Sequence, residues 1–113
     1  MPAFRPTRIL IHPDVQHVYS KLEEDARRGR REAAAIWKSF EHAVSRIRLD
    51  GQWGEVVPRI PWYFVRTYGA PNLYCVDLAF FHRALYTIFQ RDVVFLDLVD
   101  HRQYSKWFPG RKR

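Results

Sequence analysis

Three apolar runs separated by short polar breaks occupy residues 72–108. Each run is long enough for one strand, and the tight connections between them favour antiparallel pairing of consecutive runs. We expect strands over residues 73–79, 82–89 and 93–100, followed by a short helix over residues 102–108. This part of the chain therefore predicts a small, mainly antiparallel sheet.

The first half of the chain has the periodicity of helices. Residues 7–11 form a short apolar run that suits a strand, and His12 and Pro13 end it. Apolar residues then recur every three or four positions over residues 13–28 and again over residues 31–49, with Gly29 between the two segments. This pattern predicts a strand followed by a helical hairpin with one core-facing side.

The segment over residues 52–71 is interrupted by glycine and proline and is the hardest to predict. Val56 and Val57 suit a short edge strand, and residues 62–68 suit one or two helical turns. The expected fold class is α+β in the order β-α-α-β-β-β-β-α, as a single domain over residues 1–113. Residues 109–113 are expected to form a disordered tail.

Composition restricts the partners and the compartment. The 113 residues carry 19 Lys and Arg against 12 Asp and Glu, a net charge of +7 that comes mostly from arginine. Such a chain favours an acidic partner, either nucleic acid or a protein with an acidic segment, and charge alone does not separate the two. Cys75 is the single cysteine, which excludes an internal disulfide and suits the cytoplasm. No membrane segment, metal site or cofactor is expected.

Strand alternation assigns the polar residues to one face of the predicted sheet. In each predicted strand one set of alternate residues is uniformly apolar, and we expect that set to pack on the helical hairpin. We expect the other face to be open and Arg83 to lie within ion-pair reach of Asp77 or Asp97. The polar residues on that face are Asp77, Arg83, Asp97 and His101.

Two segments near the end of the chain have recognisable motifs. One is HRALYTI, which contains Arg83, and the other is VVFLDLVDHRQY, which contains Arg102 and Tyr104. Together they resemble the end of the RelE/ParE-type toxins of prokaryotic toxin–antitoxin pairs. The order of predicted elements is also the order expected of that family. The resemblance implies a RelE/ParE-like fold, a cognate antitoxin as partner, and a translation inhibitor that cuts messenger RNA on the ribosome without a metal.

The resemblance also implies roles for single residues. Attack of a ribose 2′-hydroxyl on the adjacent phosphate needs a proton acceptor, a proton donor and fixed cations. Arg83 matches the family's phosphate clamp, Arg102 matches the basic residue that ends the last strand, and Tyr104, with His101, matches the acid/base or base-stacking position. A basic cluster at the tip of the helical hairpin is a further candidate for contact with RNA phosphates. It comprises Arg27, Arg28, Arg30 and Arg31.

Other interpretations of the same residues stay open. Cys75 and Asp77 stand where the best-known ribosome-dependent nucleases have two basic residues, and Asp77 or Asp97 could neutralise Arg83. The alternative function is a non-catalytic protein on the same fold, either a gyrase inhibitor or a degenerate toxin that binds only its antitoxin. Tyr104 could simply anchor the last helix, and the arginine cluster could be a solvated tip. A general RNA-binding module is disfavoured because the sequence shows no exposed aromatic ladder.

Overall fold

The strands form one mixed five-stranded sheet, and the helices pack on its two faces. A computed structural model of the protein describes residues 4–108. The predicted disordered tail lies outside the described residues. The elements are β1 (Arg8–Ile11), α1 (Gln16–Arg27), α2 (Arg31–Leu49), β2 (Glu55–Val56), α3 (Trp62–Tyr68), β3 (Tyr74–Asp77), β4 (Arg83–Phe89), β5 (Asp92–Val99) and α4 (His101–Trp107).

The sheet order is β1-β5-β4-β3-β2, and only the β1–β5 pair is parallel in this sheet. The α+β class and the mainly antiparallel sheet are therefore confirmed. Within residues 4–108, no helix is both long and apolar enough to cross a membrane.

Several predicted boundaries differ from the observed ones by a few residues. The first helix starts later than predicted because Pro13–Val15 form a separate 3-10 turn. The strand predicted over residues 73–79 ends at Asp77 because Ala79–Phe81 form a second 3-10 turn. The last helix starts at His101 because Asp100 caps it, accepting a hydrogen bond from the backbone N–H of Gln103.

One face of the sheet packs on the α1–α2 hairpin, as predicted. The centre of this core is aromatic, with Phe40 of α2 in contact with Tyr19 of α1 and Phe95 of β5 at ring-centroid distances of 4.9 and 5.0 Å. The Tyr19 hydroxyl donates a hydrogen bond to the carbonyl oxygen of Asp97, so this buried polar group is satisfied. The hairpin is thereby attached to the sheet by both apolar and polar contacts.

A bulge in β5 changes which of its residues face the hairpin. Leu85 of β4 pairs with Asp97, and the next residue, Tyr86, pairs with Phe95, so Leu96 is an extra residue in β5. Phe95 therefore packs on the hairpin side, whereas Val94 and Leu96 pack on the opposite side. Strict alternation over the predicted strand places Val94 and Leu96 on the hairpin side and Phe95 on the opposite side. That expectation was wrong because alternation fails across a bulge.

The second face of the sheet is also largely covered, so the predicted open face was wrong. The segment after β2, together with α3 and α4, supplies a second apolar cluster over this face. This cover could hardly be predicted, because the covering residues come from the irregular segment over residues 52–71 and from a short final helix. The buried members of the cluster are Val57, Phe64, Ala70, Leu73, Cys75, Leu85, Leu96, Val99, Tyr104 and Phe108.

Tyr86 attaches the loop after α2 to the middle of the sheet. Its buried hydroxyl donates to the carbonyl oxygen of Gly51 at 2.7 Å and accepts from the N–H of Gly54 at 3.0 Å. A Cβ on Gly54 would lie 2.9 Å from that hydroxyl, so only glycine permits this approach. One hydroxyl therefore satisfies two backbone groups of the loop.

We predict that Tyr86→Phe lowers the free energy of unfolding by about 1–3 kcal/mol, because it leaves the Gly54 N–H and the Gly51 carbonyl without their partner. Urea denaturation of both proteins measures the change. Tyr74→Phe is the matched control, since Tyr74 stacks on Tyr86 but the one hydrogen bond of its hydroxyl within residues 4–108 is a 3.4 Å contact with Gln52. Equal losses in the two variants would contradict the proposed role of the Tyr86 hydroxyl.

Candidate functional site

Arg83 and Asp77 form an ion pair at one end of the sheet. They are directly opposed in the β3–β4 register, and the Arg83 Nε lies 2.8 Å from the Asp77 Oδ1. This confirms the predicted pairing and the predicted side of the sheet. The two side chains differ greatly in exposure, with 7% of Arg83 and 68% of Asp77 accessible. Arg83 is therefore a buried cation whose counter-ion lies at the surface.

Tyr104 of α4 covers the Arg83 guanidinium. The Arg83 Cζ lies 4.3 Å from the centroid of the Tyr104 ring, which is a cation–π geometry. The Tyr104 side chain is itself buried in the second apolar cluster. The Arg83 Nη1 is buried and has no hydrogen-bond partner among the described residues. The guanidinium is thus held between a carboxylate and an aromatic ring.

His101 and Arg102 lie apart from the buried Arg83 and Tyr104 side chains. Both are exposed in the first turn of α4. The predicted helix over residues 102–108 already included Arg102, whereas the expectation that His101 lies on the sheet face was wrong. The His101 ring lies 6.1 Å from the Phe81 ring, and Arg102 makes no ion pair within residues 4–108. The structure brings Arg83 and Tyr104 into contact, and it leaves His101 and Arg102 on the surface of the same helix.

Asp97 shares the Arg83 face but does not pair with it. Its register partner is Leu85, and its carboxylate accepts a hydrogen bond from the N–H of Leu98 at 2.9 Å. Partial burial raises the pKa of Asp97 above its usual value. Arg83 therefore takes Asp77 as its counter-ion, and Asp97 is a separate, partly desolvated acid.

A strained turn between β3 and β4 displays two phenylalanines that the sequence interpretation did not single out. Phe80 and Phe81 have φ angles of 55° and 60°, in the left-handed region that bulky side chains rarely adopt. Such a conformation costs roughly 1–2 kcal/mol per residue. The two rings are nevertheless exposed, at 48% and 76%. The sign of this turn in the sequence is the Phe-Phe pair before His82, which falls in the break between two predicted strands.

Hydrogen bonds hold this turn in place from both sides. The N–H of Leu78 donates to the carbonyl oxygen of His82, and the N–H of His82 donates to that of Ala79. The N–H of Ala79 also donates to the Ser39 hydroxyl of α2 at 3.0 Å. The turn is therefore fixed to the sheet and to the helical hairpin.

The arginine cluster predicted at the hairpin tip is exposed and partly neutralised. Arg27 and Arg28 each pair with the glutamate one turn earlier in α1, at 3.0 and 2.9 Å. Arg30 lies 3.7 Å from Asp25. Arg31 makes no ion pair within the described part of the chain. The tip is thus a network of surface ion pairs, and contact with RNA there stays a prediction.

An apolar groove lies on the second face, between α3 and the β1 side of the sheet. His12 and Tyr68 meet edge to face on one side, with ring centroids 4.6 Å apart. Burial raises the pKa of the Tyr68 hydroxyl. The rest of the lining is mainly apolar and includes Ala70, Thr87, Phe89, Val94 and Leu96. Residues 4–108 contain no group of three or more His, Cys, Asp and Glu side chains arranged to hold a metal ion.

Comparison of the chain with family models, curated proteins and solved structures finds no match.

We predict that Arg83→Ala lowers the free energy of unfolding by about 2 kcal/mol or more, because it removes a buried stem as well as the Tyr104 and Asp77 contacts. Arg102→Ala, at an exposed site, should change it by less than about 0.5 kcal/mol. Chemical denaturation distinguishes the two. A similar small change in both would show that Arg83 does not support the fold, contrary to its burial.

We predict that Asp97→Asn stabilises the protein at neutral pH and leaves its stability nearly unchanged at about pH 3. The raised pKa means that the folded chain binds this proton more tightly than the unfolded chain does. The contribution of Asp97 to stability is therefore greatest below its unfolded pKa and is lost as the pH rises through the folded pKa.

Urea denaturation at both pH values measures the effect, and the asparagine Oδ1 can still accept from Leu98. Asp92→Asn is the control with the opposite sign, because Arg8 lowers the pKa of Asp92. This variant should lose stability at neutral pH. A stabilisation by Asp97→Asn that is equal at both pH values would contradict the titration of Asp97.

Proposed function

We propose that the chain is the toxin component of a toxin–antitoxin pair with a RelE/ParE-like fold, and that it acts by binding rather than by cutting RNA. The RelE/ParE resemblance of the segments around Arg83 and Tyr104 supports the toxin class. The element order agrees with that class, with α3 as an addition between β2 and β3. We favour binding over cleavage because Arg83 is buried and paired with Asp77.

A phosphate clamp must present its guanidinium to the substrate. Arg83 is paired with Asp77 and covered by Tyr104. A phosphate at this position would have to displace a carboxylate at 2.8 Å and an aromatic ring. An acid/base tyrosine likewise needs access to the reacting oxygen, and Tyr104 is buried. In this conformation the contact between Arg83 and Tyr104 is structural and attaches α4 to the sheet.

Partly exposed apolar residues and unpaired cations favour a protein antitoxin. Leu10 and Phe89 are exposed, and Phe89 lines the groove beside α3. Arg59 and Arg66 make no ion pair within residues 4–108. An antitoxin with apolar anchors and acidic side chains would complement both features. The proposed role is cytoplasmic.

The second candidate is a ribosome-dependent endoribonuclease that acts on messenger RNA. It is favoured because Arg83 contacts Tyr104, and because His101 and Arg102 lie in the same helix as Tyr104. Cleavage would require α4 to move away from the sheet so that Arg83 and Tyr104 become accessible. Asp77, 2.8 Å from the Arg83 Nε, would still compete with a phosphate for Arg83.

We predict that the wild-type protein does not cleave message in a translating extract, because its only matched strand arginine is buried and neutralised. Asp77→Lys and Arg83→Ala should be equally inactive, which sequencing of the message ends would show. Cleavage by the wild type that is lost in an Arg83→Ala variant shown to be folded would instead establish the nuclease. A gain of cleavage in Asp77→Lys would mean that Asp77 alone had silenced a nuclease site.

The toxin class is tested separately by induced expression with and without the product of the neighbouring gene. We expect growth arrest that the neighbouring product relieves, and co-sedimentation of the two proteins. Continued growth at full expression would contradict the toxin assignment, whatever the outcome of the cleavage assay.

A further inference from the structure

The Phe80–Phe81 turn combines backbone strain with two exposed aromatic rings. Both residues are held in the left-handed region, yet Phe81 is 76% exposed and Phe80 48% exposed. Glycine at these positions would avoid the backbone strain. Strained residues persist where the surrounding structure fixes them, and they cluster at binding sites and active sites. The turn is therefore a candidate binding element.

The charges beside the two rings favour an anionic ligand. Two nearby carboxylates already have partners, since Asp77 forms an ion pair with Arg83 and Asp100 caps α4. The His101 ring adjoins Phe81, and Arg102 follows it in α4 without an ion pair among the described residues. The surface at this corner thus combines exposed aromatic rings with an unpaired guanidinium.

We propose that the Phe80–Phe81 turn binds single-stranded nucleic acid, with one base stacked on Phe81 beside His101 and a neighbouring phosphate held by Arg102. Aromatic rings stack on any base, and the flanking cation neutralises the backbone. Only single strands present unstacked bases to such a ring. The net charge of +7 favours the same ligand class. The buried Arg83 is not needed, so binding occurs without cleavage.

Fluorescence anisotropy of labelled oligonucleotides with the full chain tests this binding. The probes are single-stranded RNA and single-stranded DNA of about ten nucleotides, together with a duplex of the same length. We expect both single strands to bind more tightly than the duplex. The ratio of the RNA affinity to the DNA affinity shows which of the two nucleic acids the turn prefers. Arg102→Ala should weaken binding and reduce the dependence of the logarithm of affinity on the logarithm of salt by about one.

Three variants isolate the stacking ring. Phe81→Ala should weaken single-strand binding by about five-fold or more, and Phe81→Tyr should retain it. Trp62→Ala is the matched control, because Trp62 is also an exposed aromatic residue but lies at the start of α3. An affinity that Phe81→Ala leaves unchanged would overturn the proposal, as would tighter binding of the duplex or no binding of either single strand.

A glycine pair separates loss of the ligand from loss of the fold. Replacing Phe80 and Phe81 together by glycine should raise the melting temperature, because glycine accepts the positive φ angles, while single-strand binding falls. Gln90→Gly is the control, since Gln90 has a φ of 49° in the turn at the other end of β4. It should raise stability and keep binding. If the glycine pair keeps nucleic-acid binding but no longer co-purifies with the neighbouring gene's product, the turn is a protein-docking surface and the proposal is wrong.

Discussion

The antiparallel pairing of β4 with β5 is the interaction on which the rest of the structure depends. These two strands lie next to each other in the interior of the sheet and are paired from Arg83–Val99 to Phe89–Asp92. The bulge at Leu96 lets β5 send Phe95 into the hairpin core and also send Leu96 and Val99 into the second cluster. Without that extra residue, one of the two cores would lose its central β5 side chains.

Periodicity alone predicted the elements that repeat regularly. The α1–α2 hairpin was predictable because its apolar residues recur at helical spacing, and α2 occupies the predicted range Arg31–Leu49. The bulge in β5 was not predictable, because one extra residue inside an apolar run does not change the composition of that run. The cover of the second face was not predictable either, since Val57, Phe64 and Ala70 lie among glycines and prolines and acquire their role only from tertiary packing.

In the candidate site, too, local features could be predicted from the sequence and tertiary features could not. The opposition of Asp77 and Arg83 follows from strand parity, which is a local property, and it was predicted correctly. The burial of Arg83 depends on where α4 places Tyr104, which is a tertiary property. The break between β3 and β4 was predictable, but the left-handed conformation of Phe80 and Phe81 was not, because it opposes the intrinsic preference of phenylalanine. Local sequence rules fail where the fold imposes an unfavourable geometry.

The parallel β1–β5 pair has a consequence for the order of folding. Arg8 and Asp92, joined by a 2.7 Å ion pair, are separated by 84 positions along the chain. During synthesis, β1 is made long before the strand it pairs with, and β4 also precedes β5. The α1–α2 hairpin can form early from local contacts, but the sheet face that it needs is incomplete until β5 has been made. Completion of the fold is therefore a late and long-range step, and the unpaired strands are exposed to wrong partners until it occurs.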